Sequence, residues 1–114
     1  MLDFNTYQHE SFKTWHPKAF TEEMDGKFGK GFTQAMFGLF GETGEVAEKV
    51  KKSGRDGTVI DKIEIGKELG DVLYYLTRLA EYFDLTLEEV AEMNIKKLVD
   101  RQKRNTIRGS GDNR

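Results

Sequence analysis

The chain has 114 residues, 18 basic and 20 acidic side chains for a formal net charge of −2, and no cysteine. That length fits one domain with a modest core, and the charge balance gives no global field for nucleic acid or an anionic membrane, so neither is expected as a partner. The absence of cysteine removes disulfides, thiolate metal sites and cysteine nucleophiles and is compatible with a reducing, cytoplasmic setting.

The N-terminus lacks the basic region and apolar core of a secretory signal. The longest apolar run, Val72 to Leu76, is far too short to span a bilayer, so a soluble protein is expected. One proline, glycines clustered between helical stretches and no strand alternation predict an all-α chain. Phe4, Tyr7, Phe12 and Trp15 lie near helical spacing, with Pro17 limiting the first helix. The glycine-containing stretch from Lys18 to Gly31 reads as a loop that either serves a ligand or partner or is simply surface.

A second helix is expected from about Phe32 to Lys52, with Phe32, Ala35, Leu39, Val46 and Val50 on one stripe. Phe37 and Phe40 fall outside that stripe and suggest a second buried face, either within the monomer or against another subunit. A break is expected at Ser53 to Thr58. Asp61 with Glu64 then has capping-box spacing for a third helix ending near Phe83, and Thr86 with Glu89 repeats it for a fourth ending near Arg104. The short connections predict an antiparallel four-helix bundle. The assignment is one domain over residues 1–104 followed by a tail over 105–114.

Two segments share a pattern: "GETGEV" at 41–46 and "KELGDV" at 67–72. Glu42 and Glu45 are separated by roughly 60° on neighbouring turns of one helix, as are Glu68 and Asp71 on the next, so each pair can face one ligand. An isolated Glu-x-x-Glu is ordinary on a solvated helix edge. A second copy in the same apolar phase puts a shared site on an equal footing with that bland reading. Four converging carboxylates either raise some of their pKa values or recruit a cation, and a hard, oxygen-preferring ion such as Mg²⁺ fits. Gly38, Gly44 and Gly70 weaken helix propensity by roughly 1 kcal/mol each, a cost that suggests close packing or ligand approach. A di-iron site would call for Glu-x-x-His pairs, and neither His9 nor His16 has that context.

The segments "GLFGETGEVAEKVKK" and "KELGDVLYYLTRLAE" together resemble the MazG-like, all-α nucleoside triphosphate pyrophosphohydrolases over roughly Phe32 to Arg104. The resemblance implies that Glu42, Glu45, Glu68 and Asp71 are metal-binding and catalytic, with Mg²⁺ as cofactor and Mn²⁺ as a substitute. It implies hydrolysis of a (d)NTP between the α and β phosphates by a homodimer or homotetramer in nucleotide-pool sanitation or adjustment. Asn94 and Lys97 match an Asn-x-x-Lys feature of relatives and are candidate substrate contacts. Tyr75, one turn after Asp71, and Lys49, near the acidic face, are further candidates, with packing and a salt bridge to Glu45 as their ordinary roles. Phe12, Trp15 and Phe37 are candidates for stacking on a base, with core or interface as their ordinary roles. "RGSGDNR" resembles the ending of some small relatives; it reads as a disordered tail, with a closing flap that brings Arg114 near phosphate as the alternative. The alternative function is a non-catalytic helical interaction module.

Overall fold

A computed structural model describes residues 1–17 and 31–104. The expected loop over residues 18–30 and the tail with Arg114 lie outside the described residues. Within them the chain is all-α, with α1 at Phe4–Phe12, α2 at Phe32–Asp56, α3 at Lys62–Tyr82 and α4 at Leu87–Lys103, and no strand among the described residues. Most of the tertiary packing joins α2 to α3.

Helix ends follow their capping chemistry. The Asp3 carboxylate accepts from the Thr6 amide at 2.7 Å and opens α1. Asp61 accepts from the amides of Ile63 and Glu64 at 2.8 and 3.2 Å to open α3. Thr86 and Glu89 form a full capping box at α4, with the Glu89 amide donating to Thr86 at 3.0 Å and the Thr86 amide donating to Glu89 at 3.4 Å. Such caps satisfy amides that the first helical turn leaves without a partner.

The expected break at Ser53 is corrected by the structure. Helix α2 runs through Ser53 and Gly54 to Asp56 and stops at Gly57, whose φ of 67° is the left-handed conformation that closes a helix. Gly54 carries no such conformation; an isolated helical glycine costs stability without ending the helix. At the other end, α1 stops at Phe12, short of Trp15, which sits in the following turn and meets Tyr74 and Tyr75 edge-on at 6.2 and 6.3 Å.

Among the described residues the buried apolar set is small: Ala35 of α2, Leu79 and Ala80 of α3, and Leu87 of α4. Of the expected α2 stripe, Ala35 is buried and Phe32 packs edge-on against Tyr82 at 5.6 Å, whereas Val50 is exposed. A polar anchor supplements this core. Arg78 of α3 is fully buried between the rings of Phe12 and Tyr74, at 5.3 and 5.1 Å from their centroids, and donates to the Gln8 carbonyl and the Ser11 hydroxyl. Gln8 in turn accepts from the Leu87 amide at 2.8 Å and donates to Glu81 at 3.1 Å. Because α1 has no buried residue, this hydrogen-bonded and cation–π knot, with the Asn5 amide donating to Glu88 at 2.7 Å, ties it to α3 and α4.

Of the three glycines expected to permit close approach, only Gly38 does so. A Cβ there would collide with the Tyr75 ring, while Gly44 and Gly70 face open space. Gly38→Ala is therefore expected to lower unfolding free energy by about 1–3 kcal/mol through overpacking. Gly54→Ala, in open space within α2, should raise it by up to about 1 kcal/mol. Urea denaturation of the two variants checks both signs.

Candidate metal centre

The contact of Tyr75 with Gly38 and of Lys49 with Glu68 fixes α2 and α3 as an antiparallel pair. Each helix presents two acids one turn apart on the edge of this pair. Glu42, Glu68 and Asp71 each offer a carboxylate oxygen, all within 4.8 Å of one another. Glu42 and Glu68 are half-buried and Asp71 is exposed. Glu45 is exposed and is not one of the three, so fourfold convergence is reduced to three plus a neighbour. Its charge still reaches Glu42. Burial first, then the charges of Asp71, Glu68 and Glu45, hold the Glu42 carboxyl above the usual carboxylate range. All the charges raising it are acids, which is the electrostatic condition under which a cation or a proton is taken up.

Three carboxylates at this spacing are a hard, all-oxygen donor set. It suits Mg²⁺ or Mn²⁺, which accept a few carboxylates and complete their shell with water or phosphate oxygen. His9 and His16 are both exposed and outside this cluster.

The surrounding residues are placed as follows. Tyr75 is half-buried and lies over Gly38. Burial raises its phenol, and the charges of Glu42 and Asp71 add to that shift, so its hydroxyl shares the field of the acids. Lys49 does not pair with Glu45 as expected. Its Nζ lies 3.7 Å from Glu68 across the helix pair, because the interhelical approach brings the α3 acid closer than the rotation of α2 brings its own. Asn94 is exposed and Lys97 half-buried on α4, and neither is among the residues of the acid cluster. Phe37 is exposed on α2, and Phe12 caps Arg78 instead of facing the acids.

Sequence reasoning gave no role to Arg78 or Tyr74. Both sit in the run "LYYLTRLAE", where an arginine four residues after a tyrosine on one helix face is a visible signal for a cation–π pair.

Residues 30–106 match the MazG nucleotide pyrophosphohydrolase domain. The chain is also similar to the Gene 37 protein of Mycobacterium phage L5, at 42% identity over 89 residues that cover 75% of this chain and 78% of that protein. No solved structure matches it. With four helices among the described residues, paired acids on α2 and α3, and a domain match extending over both, the chain belongs to the MazG nucleotide pyrophosphohydrolase family.

Proposed function

We propose that this protein is a divalent-metal-dependent enzyme that hydrolyses a nucleoside or deoxynucleoside triphosphate to the monophosphate and pyrophosphate, in the cytoplasm. The observation that carries the reading is the convergence of Glu42, Glu68 and Asp71 within a family whose substrates are nucleotides. Membership in that family indicates pyrophosphohydrolase chemistry; the α–β position of the cleaved bond, Mg²⁺ as the cation and the residue roles are proposed from the resemblance and from the grouping of the acids.

Glu42, Glu68 and Asp71 hold the cation, with Glu45 at the exposed end of the site as a fourth ligand or as the group that orients the attacking water. Bound there, Mg²⁺ or Mn²⁺ neutralises phosphate charge and polarises water. The acids cannot bind a triphosphate on their own, since like charges repel; they serve it only by keeping positive charge on the edge of the α2–α3 pair. The paired helices hold three of the carboxylates within reach of one ion before substrate arrives, so little reorganisation is needed at the moment of reaction. Tyr75, in the field of Glu42 and Asp71, forms the wall at the Gly38 end. Asn94 and Lys97 contribute substrate contacts from α4. The domain comprises residues 1–104, with 105–114 as a tail.

We also assign a homodimer or homotetramer. Phe37 and Phe40 on α2 are 54% and 63% exposed, and Ile63 and Leu69 on α3 are exposed as well, while four apolar side chains make up the buried set of the described residues. Large apolar side chains left exposed on both helices of the pair favour association with a second copy. Sedimentation equilibrium should give a mass that is a multiple of 13.1 kDa, shifting towards the monomer in Phe40→Glu; a wild-type monomer at micromolar concentration would contradict the assignment.

A helical interaction module is the competing reading, and turnover separates the two. Incubation with Mg²⁺ and each common NTP and dNTP, with nucleotide products resolved and pyrophosphate assayed directly, should yield monophosphate and pyrophosphate in equal amounts. Glu68→Gln and Asp71→Asn should each reduce that turnover at least a hundredfold, about 3 kcal/mol of barrier, while circular dichroism is unchanged. Wild-type rates in both variants would sink the metal-site assignment, and diphosphate with orthophosphate would show that a different bond is cut.

A further inference from the structure

Beyond Lys49, the C-terminal half of α2, the connection after Gly57 and the start of α3 border an open cavity of about 240 Å³, lined by Lys49, Lys52, Ser53, Thr58, Asp61 and Glu64 with the apolar Val59 and Ile60. Its framework is fixed by the backbone. The Ser53 hydroxyl donates to the Thr58 carbonyl, the Thr58 amide donates back to the Ser53 carbonyl at 3.1 Å, and the left-handed Gly57 makes the turn between them. The two acids in the lining already have partners. Asp61 accepts from the amides of Ile63 and Glu64, and Glu64 pairs with Lys67 at 3.8 Å. The two lysines stand at the same range from their partners as Glu64 does from Lys67: Lys49 lies 3.7 Å from Glu68, and Lys52 lies 3.8 Å from Glu48 on its own helix. Ammonium groups at such distances exchange partners at little cost when a more highly charged anion arrives.

The order of groups along the helix pair gives this cavity its meaning. From the N-terminal half of α2 onward come Gly38 under Tyr75, then Glu42 in the acid cluster, then Lys49 against Glu68, then Lys52. Glu42 to Lys52 is ten residues, or about 15 Å of helix. One edge therefore presents an aromatic wall, a cation-binding cluster and a pair of ammonium groups in sequence. A nucleoside triphosphate has the same order of needs: an aromatic base, a reacting phosphate and a strongly anionic tail.

We propose that the Lys49–Lys52 cavity is the subsite for the pyrophosphate end of the substrate, so that the nucleoside lies towards Tyr75 and the polyphosphate runs towards the C-terminus of α2. The proposal rests on the α–β cleavage assigned above. In that reaction the water oxygen bonds to the α-phosphorus, and the bond from that phosphorus to its bridging oxygen breaks. The bridging oxygen keeps the electron pair, and pyrophosphate departs while the water's proton passes to solvent. Negative charge grows on the leaving oxygens, where ammonium donors stabilise it. Lys49 spans the boundary with the metal cluster. Lys52 touches only the departing end, which makes it the residue that separates triphosphates from diphosphates.

The test uses Lys52→Gln and Lys52→Arg, at an exposed position where neither substitution disturbs packing. Product inhibition of the full chain by pyrophosphate and by nucleoside monophosphate is measured with Mg²⁺ present. Lys52→Gln should weaken inhibition by pyrophosphate on the order of tenfold, the usual scale for losing one charge-assisted hydrogen bond, and narrow the preference for triphosphate over diphosphate. Inhibition by monophosphate should not change, and Lys52→Arg should restore the pyrophosphate effect. Unchanged pyrophosphate inhibition in Lys52→Gln, in an enzyme that turns over normally, overturns the subsite and leaves the assigned reaction standing. If the wild type hydrolyses no nucleotide, the assigned reaction falls, and calorimetric titration with Mg²⁺ and pyrophosphate decides the subsite separately. Binding that Lys52→Gln abolishes supports an anion site, and a wild-type protein that binds no pyrophosphate refutes it.

Discussion

Repulsion among Glu42, Glu68 and Asp71 is the constraint around which the rest of the molecule is organised. Packing α2 against α3 gathers carboxylate oxygens within 4.8 Å, and burial, reinforced by the neighbouring acids, makes the Glu42 carboxyl hold its proton above the usual range. A chain selected only for stability would separate such charges. The helix pair instead keeps them on one edge, with Lys49 across from Glu68 as a partial counter-charge. The proposed affinity for a divalent cation, and through it for phosphate, rests on the charge that Lys49 leaves uncompensated.

The surrounding fold spends few apolar side chains on holding this edge in place. Gly38 lets the Tyr75 ring settle on α2 beside the acids, and Trp15 meets Tyr75 from the segment after α1. The buried Arg78, gripped by Phe12, Tyr74, Gln8 and Ser11, fastens α1 to α3 at a place where hydrophobic burial is sparse. Its seven-residue separation from Asp71 on one helix links that anchor rigidly to the site. The apolar side chains left outside, Phe37 and Phe40 above all, sit on the same helix as Glu42, so the surface assigned to a second subunit is continuous with the element that carries the acids.

Much of this was legible in the sequence because it rests on periodicity and short-range chemistry. Thr86 with Glu89 announces the start of α4, and the phase of Glu42 against Ala35 announces which edge of α2 carries charge. What the sequence could not give is set by the approach of one helix to another. Glu45 shares a face with Glu42 yet stays outside the cluster, and Lys49 chooses Glu68 over Glu45, because the interhelical offset selects partners that intrahelical spacing does not distinguish. The expected break over Ser53 to Thr58 begins too early because composition does not separate a tolerated helical glycine, Gly54, from a terminating one; the left-handed φ belongs to Gly57. The Lys49–Lys52 cavity was invisible for the same reason, since it exists only once the connection folds back along α2.

The measurement that bears most directly on the metal centre is thermal unfolding with and without Mg²⁺ as a function of pH. A folded-state pKa for Glu42 above its ordinary 4.5 means that the metal-free fold binds an extra proton there and loses stability as pH rises through that raised value. A cation that replaces the proton should restore stability, by about 2.7 kcal/mol at a hundredfold excess over its Kd. We expect Mg²⁺ to raise the wild-type Tm by several degrees near neutral pH. That gain should fade as pH falls into the carboxylate range and be largely lost in Glu68→Gln and Asp71→Asn. An unchanged wild-type Tm near neutral pH, at Mg²⁺ and Mn²⁺ concentrations up to the millimolar range, would contradict the claim that these acids are gathered to hold a cation.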